Sequence, residues 1–285
     1  MIAPRYNGGM TTHPEHPCGV TLISGASSGI GEALAYELAS KGGWVALAAR
    51  RLESLQAVAA KCEALGGRAL PLACDVAERA DCQAAVAQTV AHFGRLDTLI
   101  NNAGITMWAR VDSLVDGALI EQIMRVNFLG AVELTAAALP HLKRSHGRIT
   151  CISSMASQII APGNSGYAAS KAAMDSYFEA LRAELIDSGV SVTLYNLGFV
   201  ETGIASRMHD AQGQQSGSIA DLIPRGAQIT PDAAARQIIT ATVARRRRVF
   251  SSVGGLPGRL IAVLRLLLPG VVERAGIDFM KRGGL

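Results

Sequence analysis

"VTLISGASSGIGEALAYELASKG", residues 20–42, decides the architecture. A short apolar run, 20–24, breaks into a cluster of small residues. A helical pattern follows at once, with Ile30, Leu34 and Leu38 on one face and glycine as a stop. Strand, glycine turn and helix in immediate succession begin a βαβ unit. Gly25 permits a tight turn, and Gly29 and Gly31 let a ligand approach the backbone with no Cβ between. The helix start adds unpaired N–H groups and a positive dipole end. Glycines alone also suit a plain turn; their place between first strand and first helix is what points to a dinucleotide pyrophosphate. Ser27, Ser28 and Ile30 belong to the same candidate cradle.

Outward from this unit the pairing repeats. Runs 44–49, 69–74, 97–100, 148–153 and 191–196 read as buried strands, and 248–252 as a last one. Helical patterns at 51–66, 78–94, 116–145, 165–188 and from 231 separate them. Alternation at roughly thirty residues per unit predicts an α/β fold, a doubly wound parallel sheet with helices on both faces. One domain over 19–252 is expected, after a loose arm at 1–18. Residues 203–230, rich in Gly, Gln and Ser and without periodicity, read as a flexible substrate loop. Residues 253–285 form a helical extension.

The chain of 285 residues is 49% hydrophobic and 18% charged, enough for one substantial core. Five cysteines, an odd number without Cys-x-x-Cys spacing, argue against a disulfide framework or a metal site and for reduced thiols in a cytoplasmic protein. The first residues lack the apolar core of a signal peptide. The net charge of +4 is uneven. Residues 245–285 hold nine Lys or Arg against Glu273 and Asp278, a net of +7, which leaves −3 on the rest.

The strand ends carry the next signals. The second strand runs into Ala48-Ala49-Arg50-Arg51, with no acid until Glu53. An acid there would bond the ribose 2′-OH of NAD, whereas guanidinium forks suit a 2′-phosphate. Two arginines opening a helix oppose its dipole, so a purely structural role explains them poorly. NADP(H) is therefore the expected cofactor. Asp75 and Val76 close the third strand, where Asp75 suits either an adenine amino group or a helix N-cap. Asn102, Ala103 and Gly104 of "NNAG" (101–104) close the fourth. Ligands of parallel sheets sit beyond these carboxyl ends.

In "SGYAASK" (165–171), Tyr167 and Lys171 share one helix face. Together with "SGASSGIG", "NNAG", Asn127 in "RVNFLG" and Ser154 in "ISSMAS", they stand in the order and spacing of a known family. The chain resembles the classical short-chain dehydrogenases/reductases, NADP-preferring, over about residues 19–203. The resemblance implies a Rossmann-type fold and a catalytic tetrad of Asn127, Ser154, Tyr167 and Lys171. Carbonyl reduction leaves charge developing on oxygen, which Tyr167 would protonate and Ser154 would steady. A Lys171 cation would lower the phenol pKa from about 10. By the same resemblance Lys171 and Tyr167 also contact cofactor, Asn127 holds a relay water, and the protein is a homodimer or homotetramer. Gly198, Val200 and Thr202 match the nicotinamide loop, with Leu197 where the family usually has proline.

Met107, Trp108, Met155, Ile159, Ile160 and Phe199 make the expected substrate wall apolar, although such side chains also serve as core or subunit contacts. An uncharged hydrophobic ketone or aldehyde, or its alcohol, is the expected substrate. A catalytically silent NADP-binding regulator is the rival class, and an intact tetrad argues against it. Three readings are open for the basic tail. It packs on its own domain or a second subunit, lies peripherally at the inner face of a membrane, or binds nucleic acid. The last is disfavoured, since no aromatics interleave the arginines.

Overall fold

The computed structural model describes residue 14 and residues 16–282, except 160, 205, 218, 220–222, 224–227, 254 and 255. The chain alternates β1 (Val20–Ser24), α1 (Gly29–Ala39), β2 (Trp44–Ala49), α2 (Leu52–Ala64), β3 (Arg68–Ala73), α3 (Arg79–Phe93) and β4 (Thr98–Asn101). A long helical run follows as α4 (Ala118–Met124) and α5 (Gly130–Arg144), joined by a π-helical segment, Arg125–Leu129. Then come β5 (Arg148–Ser154), α6 (Ser165–Glu184) and β6 (Ser191–Leu197). The last elements are a short hairpin of β7 (Met208–His209) and β8 (Gln215–Gly217), then α7 (Pro231–Val243), β9 (Arg248–Phe250), α8 (Gly258–Leu267) and α9 (Pro269–Arg282).

Among the described residues the main sheet has seven parallel strands in the order β3-β2-β1-β4-β5-β6-β9. Chain order runs outward from β1 on one side and from β4 on the other. The reversal between them opens a crevice at the ends of Ser24 and Asn101, where such sheets bind ligands. Every residue of β1 is buried, because helices cover both faces. Leu22, Leu99 and Ile149 face Val86, Leu134 and Phe178 from α3, α5 and α6. Ile23, Leu47 and Ile100 face Leu34, Leu55 and Ile238 from α1, α2 and α7. Pro71 lacks a ladder N–H and sits in β3, an edge strand, where that loss is tolerated.

The predicted α/β architecture stands, with strand ends shifted by one or two residues. Three local expectations change. Residues 203–230 are not wholly irregular: β7 and β8 pair within them. Most of the 1–18 arm lies outside the described residues, but Cys18 is wholly buried and its carbonyl accepts from Thr98 Oγ1 at 2.7 Å, so the packed domain begins before residue 19. The 116–145 helix is interrupted where its backbone widens around Asn127. This run is long and apolar enough to cross a membrane, yet Leu134, Ala138 and Leu142 pack it onto the sheet. The five cysteines are buried free thiols.

Candidate active site

The glycine turn after β1 is pressed against the end of β4. Gly25 and Gly29 take φ of +66° and +60°, the left-handed region that disfavours side chains. A Cβ on Gly25 would stand 2.9 Å from Ala103 Cα, and one on Gly31 would overlap the Gly25 carbonyl. Asn102 locks this arrangement. Its Nδ2 donates to the Ser24 and Gly25 carbonyls at 2.9 and 3.3 Å, while Ser24 Oγ accepts from Asn102 and Ala103 N–H at 3.0 Å each. No side chain caps the start of α1, so its first N–H groups face a ligand site.

A cavity of about 700 Å3 begins at this turn. One arm reaches Arg50, Arg51, Asp75 and Val76; the other reaches Gly104, Ser154, Tyr167 and Lys171. Ser27, Ser28, Gly29, Ile30, Gly198, Val200 and Thr202 also border it, and Gly31 lies beneath. Arg50 and Arg51 are exposed and, among the described residues, take no ion-pair partner. Asp75 spends one oxygen on the Ala77 N–H at 3.0 Å, closing the turn before α3. The N-cap of α3 is Glu78, not Asp75. Leu197 extends β6 opposite Ser154, and Thr202 Cγ2 comes within 3.3 Å of where a Gly29 Cβ would lie. The 198–202 loop therefore closes over the glycine turn. Small residues beneath and donors at a helix start suit the pyrophosphate of a nicotinamide dinucleotide.

The four tetrad positions converge, each held differently. Asn127 is wholly buried in the π segment. Its Nδ2 donates to the Ile105 carbonyl and Ser170 Oγ, both at 2.9 Å, and its Oδ1 accepts the Ile105 N–H at 2.8 Å. Asn127 thus clamps the irregular segment after Gly104 and does not border the cavity. Ser154 Oγ accepts from Ala156 N–H at 3.1 Å and lies close enough to the Tyr167 phenol to influence its ionisation. Lys171, 4% exposed, donates from Nζ to the Ile152 carbonyl at 2.8 Å. A Cβ on Gly104 would lie 3.6 Å from that ammonium.

The electrostatics differ from the sequence expectation. Burial pushes the Tyr167 phenol above its usual range, against the neighbouring Ser154 hydroxyl, which lowers it. Burial also pushes the Lys171 ammonium down to about 8, despite Asp175 and Cys151. The ammonium points to a backbone carbonyl and lies 5.7 Å from the Tyr167 ring centroid. A lysine that is itself half-neutral near pH 8 exerts a weaker field than the full cation assumed from spacing.

The predicted substrate wall divides into two sides. Gly198 and Val200 border the cavity, whereas Phe199 between them faces away. Likewise His209 borders it and Met208 does not. Phe199, Trp108 and Met208 pack together with Ile219, Ile223, Phe279 and Met280. Phe279 stands 6.0 Å from Trp108 edge-on and 6.3 Å from Phe199 in a stack. Met155 is buried beside Gly258, Met107 lies in the core under α6, and Ile159 is off the cavity. Ile160 lies outside the described residues. Ile105, Gln122, Val126, Ile204, His209 and Gln215 line the cavity instead.

A polar network behind the site escaped sequence reading. Asp175 Oδ2 accepts from Ser157 Oγ, Asn196 Nδ2 and Gln158 Nε2 at 2.7, 2.8 and 3.0 Å, and pairs with Arg248 at 3.2 Å. Ser157 Oγ also reaches the Ser154 carbonyl at 2.7 Å. The signal was present: Asp175 follows Lys171 by one turn on a buried face, and Asn196 interrupts an apolar strand.

The family model for short chain dehydrogenase matches residues 19–213. An Arabidopsis thaliana protein named 11-beta-hydroxysteroid dehydrogenase 1A is 44% identical over 184 residues, covering 64% of this chain and 52% of that one. The 11-beta-hydroxysteroid dehydrogenase A of Sesamum indicum is 39% identical, over 81% of this chain and 67% of its own. The chain therefore spans about half to two thirds of the length of these relatives. A short-chain type dehydrogenase/reductase from Mycobacterium marinum superposes with a TM-score of 0.73 at 26% identity, over 84% of this chain and 94% of that one. A dehydrogenase/reductase from Sinorhizobium meliloti 1021 gives 0.72 at 28% identity, over 81% and 92%. With that match, a Rossmann-type sheet and a glycine cradle at its switch point, the chain belongs to the short-chain dehydrogenase family of oxidoreductases, which bind a nicotinamide dinucleotide.

Proposed function

We propose that this protein interconverts a hydrophobic ketone or aldehyde and its alcohol, using NADP(H), with Tyr167 as general acid and base. The observation that carries this reading is the placement of the Tyr167 and Ser154 hydroxyls as neighbours at the cavity end bordered by Gly104 and Lys171. A substrate oxygen lodged between those hydroxyls would meet two O–H donors at once. Bound nicotinamide supplies or accepts the hydride. Tyr167 gives the proton to the developing alkoxide and Ser154 holds the same oxygen. Lys171, desolvated beneath, would hold the nicotinamide ribose and offset charge on the phenolate. Asn127 positions the Gly104–Ile105 backbone along one wall.

The NADP preference rests on Arg50 and Arg51, exposed and without an ion-pair partner among the described residues, in the cavity arm that also holds Asp75, with no acid at the end of β2. The substrate class rests on Ile105, Val126 and Ile204 in the lining and on the names of the curated relatives. A hydroxysteroid or another flat apolar alcohol fits both.

Tyr167→Phe tests the reading. Ketone-dependent NADPH oxidation should fall at least about a thousandfold, within the usual range for losing a positioned acid, while NADPH affinity is retained. Turnover surviving in this variant overturns the role of Tyr167. Absence of turnover with every ketone in the unaltered protein favours the silent cofactor-binding alternative.

A further inference from the structure

We propose that the C-terminal helix pair is a docking surface for an anionic phospholipid bilayer. The inference is independent of the proposed reaction. It starts from two helices that each have a covered and an open face. On the covered side, Gly258 lies against the Ser251 carbonyl and Met155, and Arg265 Nη1 donates to the Ser157 carbonyl at 3.0 Å. Phe279 and Met280 pack on Trp108 and Phe199. These contacts hold α8 and α9 on the domain, as one reading of the tail expected.

The other face is apolar and open. Leu260, Val263, Leu266, Leu267, Leu268 and Val271 are all exposed, Leu266 and Leu267 at 81% and 72%. Soluble monomers rarely leave so continuous an apolar ridge in water. Basic residues share its faces. Arg259 is one turn before Val263, and Arg274 is one turn after Val271, all exposed. At the root of α8 a cavity of about 380 Å3 is bordered by Arg246 and Arg259 together with Arg248, whose guanidinium is already paired with Asp175 and Glu179.

Charge selects the occupant. Residues 245–285 carry a net +7. A second copy of the chain in a two-fold interface would set this surface against itself and bring like charges together. An anionic lipid surface neutralises the same charge while burying the leucines. The ten residues of α8 are too few to span a bilayer, which needs about 20, so the helix would lie in the interface plane.

Co-sedimentation of the full chain with vesicles tests this, using phosphatidylcholine alone and phosphatidylcholine with phosphatidylserine, at low and high salt. The expected result is binding to the serine-containing vesicles, about tenfold weaker or more with neutral vesicles or high salt. Leu266→Glu/Leu267→Glu should lower it by about tenfold or more, with thermal melting unchanged because both side chains are exposed. No sedimentation with anionic vesicles, equal binding to neutral ones, or full binding by the double variant each overturn the proposal. A dimer that light scattering shows dissolving in the double variant, without vesicle binding, assigns the face to a second copy instead.

Discussion

Arg265 Nη1 donates to the carbonyl oxygen of Ser157 at 3.0 Å, across 108 residues of sequence. Ser157 ends the short turn Met155–Ser157, which Ser154 caps through its hydroxyl. A helix beyond the family match at 19–213 thus braces the turn that places Ser154, the hydroxyl proposed to hold the substrate oxygen. Arg265→Ala should lower kcat for ketone reduction about tenfold, the loss of one charge-assisted hydrogen bond. NADPH affinity should stay within about twofold, because the cofactor cradle lies on other segments. Arg265→Lys, which keeps a donor, should recover part of kcat. Steady-state kinetics beside fluorescence titration of NADPH check the split; equal losses in both would mean a general structural role.

Arg50 borders the cavity at the end of β2, exposed and without an ion-pair partner among the described residues. Arg50→Ala should weaken NADPH binding about 10- to 100-fold, the range for a charged hydrogen bond to phosphate. NADH binding should change little. The ratio of the two dissociation constants is the measurement, and an unmoved ratio would remove the argument for NADP.

Lys171 has its folded pKa pushed down to about 8 from 10.5. Below pH 8 the folded state carries the full cost of charging it. Between pH 8 and 10.5 the unfolded chain binds more protons than the folded one, so stability rises with pH through that window. Relative to Lys171→Met, the unaltered protein should gain about 3 kcal/mol across it. Urea melts of both proteins at pH 7.5 and 10.5 check the sign; a constant difference would show an unshifted lysine.

Asp175 is 5% exposed and holds four partners through one oxygen. Asp175→Asn keeps the shape but removes the charge opposite Arg248. The expected loss is about 3 kcal/mol of unfolding free energy, typical of a broken buried ion pair, measurable by denaturant titration. The Ser154 turn should also loosen, since Ser157 joins Asp175 to the Ser154 carbonyl. A variant as stable as the parent would show that Arg248 finds enough in Glu179, 3.4 Å away.

The strands were legible because their apolar runs are short and bounded by glycine or polar turns, as Val20–Ser24 shows. The 203–230 region was less so. Its β7–β8 pair is two and three residues long, too short for a period to register. Apolar character and nearness to a motif do not decide which side chains face the cavity. Neighbours on an extended segment point to opposite sides, so Gly198 and Val200 reach the cavity while Phe199 turns to the tail. The partner of Phe199 is Phe279, too distant in sequence for any pattern to pair them.

By itself the sequence determined the βα alternation, the strand ends that meet at the switch point, and the grouping of Tyr167 with Lys171. Those follow from local spacing and from the rule that parallel strands share one carboxyl edge. Only the tertiary structure decided what surrounds each group. It gave both oxygen and nitrogen of Asn127 mainly to the Ile105 backbone, turned Lys171 to the Ile152 carbonyl, and raised the Tyr167 phenol where spacing suggested lowering. Desolvation and hydrogen-bond partners come from segments far apart in the chain, and they are known only once those segments are packed together.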